Sequence, residues 1–456
     1  MTKTLTAILV GLLLFVAFAL NLTVPSHAQG VERDLIFHNG VIVPMTAPDV
    51  SYSAMRIRGA AIEELGTDAE ILALAGENAT IIDLEGRAVY PGFIDPHTHL
   101  LGNAAMVEMT MAEAERLALS FGITHVADMH VTSDDLRTLR AFATDPGLTI
   151  RSSMYLVHND GCGNLRGRWY EEYPAGSEVE PRLYVGGIKV FSERSVCGPR
   201  PIGISFGEEM KAGLSERGRE RFEDTEPLFT VAGLADVFER IDALGYQIAV
   251  HAIGDGGITT TLDAFEALLD GGENARHHML LHNWFVSDAS LVRYAELGVC
   301  ASVEVSTPCY IQHWENHVLP EYQHTVFRYA DLVGTGAHIA ASSDWPWVGS
   351  AALEPLFKLQ ILTTGTSDIE DIFEQGAACF VDASKRVTVW EALRMMTAEA
   401  AYLLRVDDVA GTLEPGKRAD LVILSADPLR APLDDLHTID VESTYIDGEL
   451  VWESVP

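Results

Sequence analysis

The sequence predicts an α/β chain: a (β/α)8 barrel with a small β-sandwich built from both termini. Three observations predict it. Strand-like and amphipathic helix-like segments alternate through the middle of the chain, the pattern of a parallel sheet covered by helices. Eight strand candidates fall there, the number that closes such a barrel. The two ends, 29–88 and 407–456, read instead as short β-runs broken by turns. The 456 residues suffice for one barrel, placed at 89–406, and one smaller domain.

The elements follow in order. Residues 1–28 read as an export leader. Lys3 supplies the positive start, an apolar run covers 7–20, and Ser26-His27-Ala28 is a small-x-small cleavage site. The apolar run is too short to span a bilayer, so the expected protein is exported, periplasmic or secreted, with no membrane attachment after cleavage. Strands are expected at 34–38, 41–44, 54–58, 61–65 and 80–84, with Asn39-Gly40 as a turn and a short helix at 71–74. The barrel strands are read at 89–95, 122–129, 149–157, 183–191, 246–253, 278–283, 300–306 and 339–343. Helices are expected at 111–120, 133–142, 230–244, 259–269, 289–297, 327–334, 353–362 and 389–404. The charged stretch 208–224 reads as a solvated lid or helix. Strands at 420–425, 439–446 and 449–452 return to the β-rich style.

Charge narrows the partners. With 31 Lys and Arg against 66 Asp and Glu, the formal net charge is −35. Nucleic acid and anionic membrane both require a basic surface and are excluded. The partner expected is a small-molecule substrate; a homo-oligomer is compatible with the sequence. Five cysteines at irregular spacing (162, 197, 300, 309 and 379) make no disulfide scaffold. Cys162 and Cys197 fall in loops on one predicted face and are the candidate disulfide. The absence of Cys-x-x-Cys argues against a structural zinc knuckle.

Polar residues stand at the strand ends where apolar ones are expected. His97 and His99 follow the first strand in Pro91-Gly-Phe-Ile-Asp-Pro-His-Thr-His99, and alternation puts both on one face. Lys189 lies near the end of the fourth strand, His251 in the fifth, His282 in the sixth and Asp344 after the eighth. In a barrel the C-terminal strand ends converge on the active site. Neutral imidazoles with a carboxylate suit zinc and similar divalent ions. A buried lysine among cations sheds its proton, and the neutral amine captures carbon dioxide as a carbamate able to bridge two metals. Asp344 is placed to take a proton from a bridging hydroxide's parent water and return it to the leaving group.

PGFIDPHTH, the strand-four lysine, VHAIGD, the strand-six histidine, SSDWP and GTLEPGKRADLVIL together resemble the amidohydrolase superfamily, nearest the N-substituted formamide deformylase-like (amidohydrolase-3) branch, in shortened form. The resemblance implies a metal-dependent hydrolase with a (β/α)8 barrel. It implies two divalent ions, zinc by preference, and His97, His99, Lys189, His251, His282 and Asp344 as ligands. It departs from the branch in three places: a short link from Leu100 to Gly122, Glu193-Arg194 where Asp-Gly is usual, and Leu281 where a Glu usually precedes the strand-six histidine.

Further residues are read less directly. His158, ending the third strand, is a candidate to touch the substrate carbonyl. Tyr155, Arg166, Arg168, Arg194 and Trp345 are candidate substrate contacts. Arg200 belongs with these arginines, which suit a substrate carboxylate, and Trp347 joins Trp345 as a wall. The expected reaction is hydrolysis of an N-acyl or cyclic amide. Lactone, ester or phosphotriester hydrolysis on the same site competes with it. A mononuclear deaminase competes too, against which Lys189 counts. So does a metal-loaded binding protein without turnover, against which Asp344 counts.

Overall fold

The computed structural model describes residues 34–198, 201–311, 313–366 and 381–455. The leader expected at 1–28, Arg200 and Cys379 lie outside the described residues. No helix among the described residues is long and apolar enough to cross a membrane.

Eight parallel strands form the barrel: β1 (Phe93–Thr98), β2 (Ile123–Val131), β3 (Arg151–Val157), β4 (Leu183–Phe191), β5 (Gln247–Ala252), β6 (Met279–His282), β7 (Cys300–Glu304) and β8 (Ile339–Ser342). Each pairs in parallel with the next. The eighth reaches the first where Asp344 donates its N–H to the His97 carbonyl at 2.8 Å. Asp95 reinforces the seam by accepting the N–H of Ser343 at 3.1 Å. All eight strands are almost wholly buried, as expected when a sheet is filled inside and covered by helices outside.

The covering helices start where the sequence marks them. Thr110, Thr132 and Thr388 each close a capping box with an acid three residues on, before Met111–Ser120, Ser133–Phe142 and Val389–Met395. The helix expected at 389–404 is two helices, Val389–Met395 and Ala398–Leu403, broken at Thr397 with φ −132° and ψ −93°. The break frees the Met396 carbonyl to accept the N–H of Ile94 in β1 at 2.9 Å. Of the two forms expected for the charged stretch after β4, lid or helix, it takes the helical one, with most of its charged residues exposed. It forms Glu208–Gly213, Glu216–Arg221 and a small parallel pair, Ile202–Ile204 with Phe222–Asp224. Phe206, Phe222 and Phe285 pack edge to face beneath it.

Two sheets from both ends of the described chain form the sandwich. One orders Ala61–Gly66, Ala54–Arg58, Asp34–His38 and Thr80–Asp83. The other orders Val41–Ile42, Ala88–Pro91, Leu421–Leu424, Val441–Ile446 and Glu449–Glu453. Phe37, Ile57, Val89, Leu421, Ile423 and Tyr445 pack in one cluster, with the Phe37 and Tyr445 rings edge to face at 5.3 Å. The strand expected at 89–95 is split between the two domains. Ala88–Pro91 pairs antiparallel with Leu421–Leu424 in the sandwich, and Phe93 begins the barrel. The boundary is Gly92, where a Cβ would meet the Thr124 side chain at 2.4 Å. Only glycine lets the chain cross so close to β2. Arg151 at the start of β3 binds Asp420 and Asp447, and Arg182 and Arg418 hold the same Asp447 at 3.1 and 3.0 Å. A charged network thus fastens the sandwich to the end of the barrel opposite the strand tips.

His125 in β2 makes the fold acid-sensitive. Its Nε2 lies 2.8 Å from the Ser153 hydroxyl in the core. Burial, then the charges of Arg151 and Arg418, push its pKa down to about 3. The unfolded chain protonates this ring below about pH 6.5, the folded chain only near 3. Stability therefore falls as pH falls through that window. Between pH 6.5 and 5 this residue alone is expected to remove about 2 kcal/mol. Urea unfolding at both pH values should show that share gone in His125→Gln; an unchanged pH slope would contradict it.

Candidate metal centre

The strand tips of the barrel enclose a cavity of about 360 Å³. His97, His99, Lys189, His251, His282 and Asp344 all line it, and all are buried. The six polar residues of the strand ends are therefore brought together. Asp344 Oδ1 lies 3.1 Å from His99 Nε2 and 3.4 Å from His97 Nε2. The His97 and His282 rings are 4.8 Å apart and the His251 and His282 rings 4.2 Å. Phe191 stacks on His251 at 4.7 Å, and the Lys189 ammonium lies 5.0 Å from the same phenyl ring.

The backbone is bent to achieve this. β6 ends in two left-handed residues, His282 at φ +75° and Asn283 at φ +57°, a conformation that side chains rarely adopt. Asn283 holds the bend: its amide donates to the Leu280 and Ser302 carbonyls, and Tyr294 donates to its oxygen. Asp344 is likewise left-handed, at φ +49°. Such strain concentrates at functional sites.

Electrostatics keeps the imidazoles neutral. Burial, then neighbouring cations, hold His97, His251 and His282 well below the usual histidine range. Burial also brings His99 to about 4, with Asp128 opposing. Burial brings Lys189 down to about 7 against the pull of Asp344 and Glu304. The Asp344 carboxyl is raised well above the carboxylate range, first by burial and then by Glu304. His97 Nδ1 and Nε2, His251 Nε2 and His282 Nε2 are buried without hydrogen-bond partners. Buried polar atoms are ordinarily satisfied, and a ring of lone pairs facing one another is what a cation satisfies. His97, His99 and Asp344 have ligand atoms close enough to share one ion.

Three acids of the site escape a reading of the sequence. Glu304 at the tip of β7 is fully buried, with Oε2 accepting from Trp284 Nε1 at 2.8 Å and Thr307 Oγ1 at 3.1 Å. Burial raises it to about 7. Its one signal is a lone acid inside the apolar run 300–306. Asp128 at β2 accepts the N–H groups of Leu101 and Gly102 at 2.8 and 3.1 Å and so shapes the turn after His99. Glu193 accepts N–H groups from Ser205, Ile253 and Gly254. It thereby ties the loop after β4 to the end of β5, just beyond His251.

Several sequence-predicted contacts lie elsewhere. Tyr155 is a correction: its ring passes under Gly186 and Gly187, where a Cβ would meet it at 2.9 and 2.8 Å, and its hydroxyl donates to Gln247 at the start of β5. It belongs to the barrel filling. His158 is a second correction, since it does not line the cavity and its Nδ1 pairs with the Tyr170 hydroxyl at 3.1 Å. Arg168 is a third: it is exposed, pairs with Glu171 and does not reach the cavity. Arg194 does not line the cavity either. Trp345 is buried behind the site, where its carbonyl accepts the N–H of His99 at 2.8 Å; the wall position belongs to Trp347, edge-on to His99. Arg166 does line the cavity, paired with Asp160 at 2.7 Å. The Cys162–Cys197 disulfide is formed and joins the two loops that carry Cys162, Ser195 and Val196 to the cavity rim. Cys300 is a buried free thiol.

A parallel (β/α)8 barrel with neutral histidines, a lysine and carboxylates at its strand tips is an arrangement suited to holding divalent ions. Comparison with known proteins narrows the class. A model of the amidohydrolase family matches residues 80–118 and 105–452, and the chain belongs to that family. It is 26% identical to N-substituted formamide deformylase of Arthrobacter pascens over 284 residues, 60% of this chain and 47% of the relative. The chain thus spans about half the length of that relative. It is 26% identical to imidazolonepropionase of Symbiobacterium thermophilum over 400 residues, 82% of this chain and 83% of the relative. Among solved structures, a metal-dependent hydrolase from Pyrococcus furiosus superposes on 87% of this chain and 100% of its own, with a TM-score of 0.70 at 20% identity. That likeness is one of fold.

Proposed function

We propose that the protein is an exported binuclear metal-dependent hydrolase that cleaves the C–N bond of small N-acyl or cyclic amides. The observation that carries this is the set of buried, partnerless imidazole nitrogens of His97, His251 and His282 in the cavity that Asp344 also lines. The donor set fits divalent ions, zinc foremost. His97, His99 and Asp344 would hold one, and His251 and His282 a second. Lys189 as a carbamate would bridge them, and its burial supplies the neutral amine that carbamate formation needs. When bound, such ions would acidify water as the nucleophile and polarise the scissile carbonyl.

The chain's own groups do the rest. Asp344 takes the proton at Oδ1, held there by the seam between β8 and β1, and hands it to the leaving nitrogen. Phe191, Ile253, Trp347 and Val348 keep one side of the cavity apolar and exclude water. Arg166 at the rim suits a substrate carboxylate. The names of the two relatives, a formamide deformylase and an imidazolonepropionase, support an amide-type substrate. The disulfide supports an oxidising compartment.

A panel of N-acyl amino acids, cyclic amides, lactones and phosphotriesters tests the reading. Amide turnover that a chelator abolishes and zinc restores is the expected result. Turnover confined to lactones or phosphotriesters, or none from metal-loaded protein, would overturn it.

A further inference from the structure

We infer that Glu304 is a positioning residue shared by two metal-ligating histidines, accepting from the Nδ1–H of both His97 and His282 and so presenting both Nε2 lone pairs to the ions. The inference rests on the reading of the cavity as a metal centre.

Glu304 Oε1 lies 3.6 Å from His97 Nδ1 and in direct contact with His282 Nδ1. These three atoms are buried and meet without hydrogen-bond alignment. The carboxylate cannot turn away, because Trp284 and Thr307 hold its other oxygen. Nor can its strand tip move aside, because Tyr329 donates to the Glu304 carbonyl at 2.9 Å.

Proton counting then decides the role. The Nε2 of His97 faces Asp344 at 3.4 Å, on the opposite edge of the ring from Glu304. A neutral imidazole has one lone pair and one N–H. If Nε2 gives the lone pair to an ion, Nδ1 carries the proton, and Oε1 is the acceptor beside it. The same division holds for His282, whose Nε2 is buried and partnerless near His251. Two imidazole N–H groups, the indole N–H and the threonine O–H match the four lone-pair sites of one carboxylate. A carboxylate behind a ligating histidine fixes its tautomer and raises its basicity. Here one acid from β7 serves histidines from β1 and β6.

The rival arrangement is Glu304 as itself a ligand, since His97, His282 and Glu304 also have ligand atoms close enough to share an ion. The two differ in what Glu304→Ala and Glu304→Gln do. Zinc affinity is measured by chelator competition and coordination by the absorption of the cobalt-loaded protein. Histidine tautomers are read by nitrogen NMR of the zinc form. The expected result is zinc affinity about 10- to 100-fold weaker in Glu304→Ala, partial recovery in Glu304→Gln, an unchanged cobalt coordination number, and Nδ1–H on both rings in the wild type. A cobalt spectrum of lower coordination number in either variant, or Nε2–H tautomers, overturns the assignment. So does wild-type affinity in both variants. Zinc retention by the wild-type chain in the same titration reports separately on the metal centre itself.

Discussion

Asp344→Asn is expected to keep its metal ions and lose turnover by about 10²- to 10⁴-fold, the range for removal of a positioned acid–base group. Asparagine preserves the size of the side chain and one oxygen beside His97 and His99. It also preserves the backbone bond from residue 344 to the His97 carbonyl, which fixes the strand tip. What it lacks is a site for the proton. The Asp344 carboxylate, buried beside His97 and His99, is the group that would hold a proton between its uptake from water and its delivery to the leaving nitrogen. Metal content and kcat measured on one sample separate the two roles. A variant with full metal and more than half the wild-type kcat would remove the proton-transfer role. One that loses its metal would make Asp344 chiefly a ligand.

Lys189→Ala is expected to lose one ion per chain and activity by about 10³-fold, several kcal/mol of lost charge stabilisation. Lys189 sits in β4 with its side chain buried in the cavity that His97, His99, His251, His282 and Asp344 also line, 5.0 Å from the face of Phe191. As an ammonium it would repel the ions; as a carbamate it would be the anionic bridge between them. Short carboxylic acids such as acetate or propionate should restore part of both metal content and activity, because they return a two-oxygen bridge to the space that alanine opens. Unchanged metal content in Lys189→Ala contradicts the carbamate.

The candidate ligands were legible because each breaks a local rule. His97 and His99, Lys189, His251, His282 and Asp344 are polar residues at strand ends that should be apolar, and barrel topology brings strand ends together. Glu304 breaks the same rule in β7, but it stands alone in its strand. Its partners, Trp284, Thr307, His97 and His282, come from other parts of the chain, so no local spacing announces them. Tyr155 and His158 engage other partners in the structure. Their place at the end of β3 suggested the site, yet the length of the tyrosine side chain carries its hydroxyl down to Gln247, and the His158 ring is taken by Tyr170. The apolar run through Tyr90-Pro91-Gly92-Phe93 hid the domain boundary, because hydropathy does not change there; only the close approach to Thr124 marks the crossing.

The metal-to-protein ratio of the wild-type chain, purified with zinc and bicarbonate and measured after exhaustive desalting, tests the central claim most directly. Two ions per chain are expected. A chain that holds no ion under those conditions would contradict it, leaving the imidazoles at the strand tips as buried core groups and Lys189 as an ordinary lysine.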